Sequence, residues 1–305
     1  MSNIFDALKR AETESSGREG SALVTELLES AELKIRGASL KVEPFSSQEI
    51  SDANPPDAVV DTVERCPVLS VSIPQETRLV SAVPEQSLAA EKFRYLAVRL
   101  RQLRQTRPLK KILITSTIPQ EGKSTVSANL ACTFARRAQK KTLLLEGDLR
   151  RPTLAQQFGI GRVPGICQWL ARETESINVY RLERLGLWIL PAGETPQNPL
   201  ELMQSARLPE LMELLEAWFD WIVIDSPPAL PLADTSVWSR LADGIVLVTR
   251  PGITEKKQLQ RGLQALEAKK LVGALVNASR DAAQSDYYQR YTSLPPSPGS
   301  DSSQK

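Results

Sequence analysis

Hydrophobic and polar positions divide the chain into two regimes. From residue 110 onward, short apolar runs recur at 110–116 (KKILITS), 142–146, 187–191, 221–225, 244–249 and 271–276. Runs of this length, dominated by Ile, Leu and Val, are those of strands covered on both faces. Helix-spaced stretches separate them, beginning with 125–139. The alternation predicts an α/β fold, a mostly parallel sheet with helices on both faces, whose ligands sit at the carboxyl ends of the strands.

Ahead of that region the pattern changes. Residues 87–105 place Leu88, Phe93, Leu96 and Leu100 at helical spacing, with five arginines interleaved from Arg94 to Arg107. This predicts a helix with a basic solvated face leading into the core. A second helical pattern, 22–36, carries Leu23, Leu27, Ala31 and Ile35 and stops at Gly37. Residues 2–14 put Ile4, Phe5, Leu8 and Ala11 on one face behind a Ser2 cap, either a docking helix or a terminal helix packed on its own domain. From 43 to 85 the chain is rich in Ser, Pro, Asp and Glu without periodicity, as in a linker. The expected division is 1–42 helical and docking, 43–86 linker, 87–282 catalytic domain and 283–305 tail.

Composition narrows the chemistry. The chain has 305 residues and no histidine, so carboxylates, Lys, Arg, hydroxyls or a bound metal must do any proton or phosphate work. Cys66, Cys132 and Cys167 are odd in number and widely spaced, which reads as reduced thiols rather than a disulfide framework or zinc site. No apolar stretch reaches membrane-spanning length and the N-terminus lacks a signal-like core, so a cytoplasmic protein is expected. Residues 1–90 carry 8 Lys and Arg against 15 Asp and Glu, whereas 91–305 carry 30 against 21. A basic domain of this kind suits nucleic acid, a polyphosphate nucleotide or an acidic membrane equally.

Three segments carry candidate chemistry. Residues 117–124 (TIPQEGKS) follow an expected strand and open an expected helix, the context of a phosphate-binding loop. Backbone N–H groups around Glu121, Gly122 and Lys123 would meet phosphate oxygens at the helix start, Lys123 the β- and γ-phosphates, and Ser124 Mg²⁺. Thr117 stands where the first glycine usually is, acceptable where that position needs no positive φ. The strand at 142–146 runs into Glu146-Gly147-Asp148-Leu149-Arg150-Arg151. There Asp148 would orient or deprotonate a hydroxyl, Glu146 would help hold Mg²⁺ through water, and an arginine such as Arg150 would neutralise phosphate. The apolar strand at 221–225 ends in Asp225, a Walker B arrangement that delivers a carboxylate to the metal. Near the C-terminus, Tyr287, Tyr288 and Tyr291 gather in a polar segment with little core to fill, where phosphorylation would add strong charge.

Together, residues from about 87 to 291 resemble the bacterial tyrosine autokinases of polysaccharide export systems, within the deviant-Walker P-loop ATPase superfamily. The matching segments are the loop at 117–125, LLLEGDLRRP at 143–152, Asn198, Pro199, Glu201 and Leu202 within 192–203, and VIDSPP at 223–228. The resemblance implies a P-loop fold and ATP and Mg²⁺ as cofactors. Gln120, Glu121, Gly122, Lys123, Ser124 and Thr125 would hold the nucleotide and Asn277 its base. Ser124, Glu146 and Asp225 would hold the metal, and Lys123, Glu146, Asp148, Arg150 and Asp225 would serve catalysis. It further implies phosphorylation of Tyr287, Tyr288 and Tyr291 in trans, within a homo-oligomer, in the regulation of exopolysaccharide or capsule synthesis and export. A membrane polysaccharide co-polymerase as a separate chain would be its partner and would recruit it to the inner membrane. No nucleic acid is expected.

Two positions depart from the family pattern. Glu146 replaces the first acid of Asp-x-Asp, its added methylene implying a shifted metal-bound water or a weaker base. Ala97 replaces the last arginine of Glu-x-x-Arg-x-x-Arg after Glu91 and Arg94. Two alternatives stay open: a positioning ATPase of the related type, which Ile118 in place of its signature lysine disfavours, and a nucleotide-bound regulator with weak catalysis.

Overall fold

The computed structural model describes residue 63 and residues 66–278 apart from 75, 83–86, 138 and 231–232. Eight strands form one sheet: β1 (Val68–Leu69), β2 (Lys111–Ser116), β3 (Thr142–Glu146), β4 (Tyr180–Leu182), β5 (Leu187–Leu190), β6 (Trp221–Asp225), β7 (Gly244–Thr249) and β8 (Leu271–Val276). Their order is β1-β4-β5-β3-β6-β2-β7-β8. All pairings are parallel except β4 with β5. The helices are α1 (Leu88–Arg104), α2 (Lys123–Ala135), α3 (Leu154–Gln157), α4 (Ile166–Leu170), α5 (Pro199–Met203), α6 (Arg207–Trp218), α7 (Asp234–Leu241) and α8 (Lys256–Ala265).

The continuous apolar runs do become strands, all interior to the sheet except β8, which forms one edge. Every residue of β3, β6 and β7 is buried, and alternate side chains feed two cores. Leu113, Leu143, Leu145, Ile222 and Ile224 face Phe219, Trp238 and the apolar stripe of α6. Ile112, Ile114, Leu144 and Val223 face Phe134, Ala97 and Leu100 of α2 and α1. Ten consecutive residues of α2, from Val126 to Ala135, are buried. Its run of Ser, Ala, Asn and Cys lets the backbone press close beneath α1, and the helix starts two residues earlier than periodicity alone suggests. The start of α1 is capped by Ser87, whose hydroxyl accepts the Ala90 N–H at 3.1 Å.

The domain begins earlier than residue 87. Residues 66–82, expected as linker, supply the edge strand β1, the core side chain Leu79 and the buried Ser81. Asn129 of α2 fixes this segment: its Oδ1 accepts from Ser81 N at 2.8 Å and its Nδ2 donates to Arg78 O at 2.8 Å. A few buried anchors inside a polar stretch leave no periodicity to read, which is why the segment looks like a linker. The patterns at 2–14 and 22–36 and the tyrosines at 287, 288 and 291 lie outside the described residues.

Candidate active site

The loop between β2 and α2 achieves its turn at two residues. Gly122 has φ 91° and Gln120 φ 67°, whereas Thr117 avoids the left-handed region, as its side chain requires. Thr117 is instead fully buried against Gly262 of α8, where an added Cβ would come within 2.9 Å of it. Glu121 is buried too, its Oε2 accepting the Ile118 N–H at 2.8 Å and its Oε1 the Thr254 hydroxyl. The loop is therefore cross-tied by its own carboxylate.

Lys123 opens α2 directly under this turn. Its ammonium pairs with Asp148 Oδ2 at 3.0 Å and lies 3.5 Å from the Ser124 hydroxyl. Burial alone would lower its pKa, but Asp225, Asp148 and Glu146 together hold it above the usual lysine value. Asp148 is steadied by its Oδ1, which accepts the Arg151 N–H at 3.1 Å. Strands β3 and β6 set Glu146 and Asp225 in register, so the two strand-end acids are neighbours.

Asp225 is fully enclosed. Its Oδ1 accepts from the Ser127 hydroxyl at 3.0 Å, and its buried Oδ2 has no hydrogen-bond partner. Burial pushes its pKa up to about 6 against the pull of Lys123 and of the Ser124 and Ser127 hydroxyls. An orphaned carboxylate oxygen beside a helix-start hydroxyl suits a hard divalent cation that takes its remaining ligands from phosphate and water. Among the described residues no cluster of three Asp, Glu, Cys or His stands ready to hold a metal alone. The donor set thus fits Mg²⁺ delivered with a nucleotide.

The other expected residues sit differently. Glu146 points its carboxylate into backbone: Oε1 accepts from Thr153 N at 2.5 Å and Leu154 N at 2.6 Å, and Oε2 from Ala192 N at 3.0 Å. Burial raises its pKa and these donors oppose the rise. Arg150 is held by Asp234 through two contacts, 2.7 Å and 3.1 Å. Asn277, after β8, donates its Nδ2 to the Glu121 carbonyl at 2.9 Å. Arg78, Phe93, Gly122, Thr125, Arg250 and Asn277 help line a groove of about 910 Å³ beside the loop.

Several members of this arrangement escaped the sequence reading. Ser127 lies one helical turn after Lys123, a spacing that places both on one face. Gly147 fits between the acids because its N–H donates to Asp225 O at 2.6 Å, leaving no room for a side chain. The Trp238 indole then caps the Gly147 carbonyl at 2.9 Å. Asp234 and Thr254 carried no local signal.

No family model matches the chain. Tyrosine-protein kinase YwqD of Bacillus subtilis is 34% identical over 215 residues, which span 70% of this chain and 90% of that protein. The chain belongs to the bacterial tyrosine-protein kinases. Solved structures carry the same fold. The chimerical protein CapA2B2 aligns at a TM-score of 0.63 and 28% identity over 74% of this chain and all of that one. The kinase domain of the Escherichia coli tyrosine kinase ETK aligns at 0.60 and 25% identity, over 77% and 85%. This kinase is therefore a P-loop protein that uses a nucleotide to phosphorylate tyrosine, and no described helix is long and apolar enough to cross a membrane.

Proposed function

We propose that the kinase transfers the γ-phosphoryl group of ATP to tyrosine hydroxyls, with Tyr287, Tyr288 and Tyr291 of a second copy as acceptors. The observation that carries the site assignment is the convergence of Lys123, Asp148 and the unpartnered Asp225 Oδ2 at the ends of neighbouring strands. Lys123 binds the β- and γ-phosphates and stabilises the charge on the oxygen that leaves with ADP. Asp148 orients the tyrosine hydroxyl and takes its proton as the new O–P bond forms and the bond to the β-phosphate oxygen breaks. Ser124 and Asp225 would hold Mg²⁺, which neutralises phosphate charge.

Glu146 takes a positioning role in this scheme, since its oxygens already serve the backbone of Thr153, Leu154 and Ala192. Arg150 acts through Asp234 rather than on phosphate. Transfer in trans needs a second copy, and α1 exposes Tyr95 and Val98 to solvent. Ala97 is fully buried, so the position where the family pattern carries its last arginine contributes packing. The pathway, capsule or exopolysaccharide synthesis and export under a membrane co-polymerase that recruits the kinase peripherally, follows from the motif resemblance.

Incubation with Mg²⁺ and ATP followed by phosphotyrosine mass spectrometry tests the reading. Label should appear on the tail, vanish with Lys123→Met, and vanish when the three tail tyrosines become Phe. Undiminished tyrosine labelling of the triple variant would refute the tail as acceptor.

A further inference from the structure

The phosphate loop does not stand alone. Three side chains from the segments that follow β7 and β8 reach it: Arg250 Nη1 approaches the Gln120 carbonyl at 3.5 Å, the Thr254 hydroxyl bonds Glu121 Oε1, and Asn277 Nδ2 donates to the Glu121 carbonyl at 2.9 Å. Asn277 is itself anchored, its backbone N–H donating to Thr249 O at 2.8 Å. Its partner is a carbonyl, so the amide nitrogen must face the loop. The fit is close: a Cβ on Gly122 would lie 2.1 Å from Nδ2.

The brace acts where the loop is strained. Gln120 holds φ 67° without being glycine, a conformation that is strained for a side-chain-bearing residue and persists only where the surroundings impose it. The restraints on the flanking carbonyls of Gln120 and Glu121 supply that imposition. We infer that Asn277, with Thr254, is a positioning residue that holds the phosphate loop in its binding shape, rather than a reader of the nucleotide base. The inference rests on the loop being the nucleotide site.

Binding of MgADP, MgGDP and inorganic tripolyphosphate to the full chain separates these roles, because tripolyphosphate has no base. Asn277→Ala should weaken all three by the same factor, about tenfold for one lost half-buried hydrogen bond, leaving the ADP-to-GDP ratio unchanged. Thr254→Val should do likewise, which keeps the test alive if the first variant folds poorly. Adding Gln120→Gly to Asn277→Ala should restore part of the tripolyphosphate affinity by removing the strain. Unchanged tripolyphosphate binding with a collapsed ADP-to-GDP ratio would overturn the inference alone. Failure of the unmodified protein to bind any of the three would overturn the phosphate-loop reading and this inference with it.

Discussion

Lys123 of α2 and Asp148 after β3 form one ion pair, 3.0 Å from ammonium to carboxylate oxygen, so the cation assigned to phosphate and the acid assigned to the tyrosine proton share an interaction. Replacing Asp148 by Asn separates their functions. Turnover should fall by about 10² to 10⁴, the range associated with a lost general base. Affinity for MgADP should hold or rise, since Lys123 loses a competitor for its charge. Calorimetric binding beside steady-state kinetics checks this; turnover retained within tenfold would remove Asp148 from the base role.

Asp225 gives the site a pH dependence with a definite sign. The unfolded chain releases this proton near 3.8, whereas the folded protein keeps it to about 6 because the carboxyl is fully buried. Its contribution to stability is therefore whole below the lower value, declines between the two and is smallest above the upper one, a difference of about 3 kcal/mol. Asp225→Asn carries no charge to bury, so it should raise the melting temperature at pH 8 and leave it nearly unchanged at pH 4. MgADP affinity of the unmodified kinase should weaken below pH 6 as protons compete for the same oxygens. Equal melting shifts at both pH values would show that burial of the charge is not what destabilises the apo site.

The segment before α1 belongs to the domain energetically. Removing residues 1–86 takes away β1 and buried Leu79, and strands Asn129, whose amide serves Ser81 and Arg78. Burial of one leucine contributes roughly 1.5–3 kcal/mol, and an orphaned buried amide costs about 1–3 more. Denaturant unfolding should show a loss of several kcal/mol for the truncation, with Asn129→Ala accounting for part of it. Unaltered stability of the truncated chain would restore the linker reading.

What the sequence disclosed follows from which interactions are periodic. Continuous apolar runs marked β2, β3, β5, β6 and β7, whose side chains are mostly buried, and the half-buried edge strand β8, and Glu146 and Asp225 were legible because they terminate two of those runs. The short antiparallel strand β4 and the two-residue β1 lack any repeat long enough to register. Thr117 looked like the defect of the phosphate loop, yet the left-handed residues are Gln120 and Gly122, a distinction that depends on dihedral angles. Glu146 looked like a lengthened catalytic acid because its three backbone donors come from residues 153, 154 and 192. Its partners beyond the first loop are invisible to spacing.

Glu146 accordingly supports the sharpest substitution test. Shortening it to Asp, the residue more usual in the family pattern, withdraws the carboxylate by one methylene, about 1.5 Å. It then fails to span from the Thr153–Leu154 backbone to Ala192. Each hydrogen bond lost to a charged group costs about 1.5–3 kcal/mol, so Glu146→Asp should destabilise the protein measurably. It should also lower turnover through movement of the loop that carries Asp148, with MgADP affinity less affected. Were Glu146 a metal or proton ligand placed too far forward, the same change would raise turnover without loss of stability. Denaturant unfolding and kinetics on one preparation decide between them, because the positioning role lowers both stability and turnover whereas the ligand role raises turnover and spares stability.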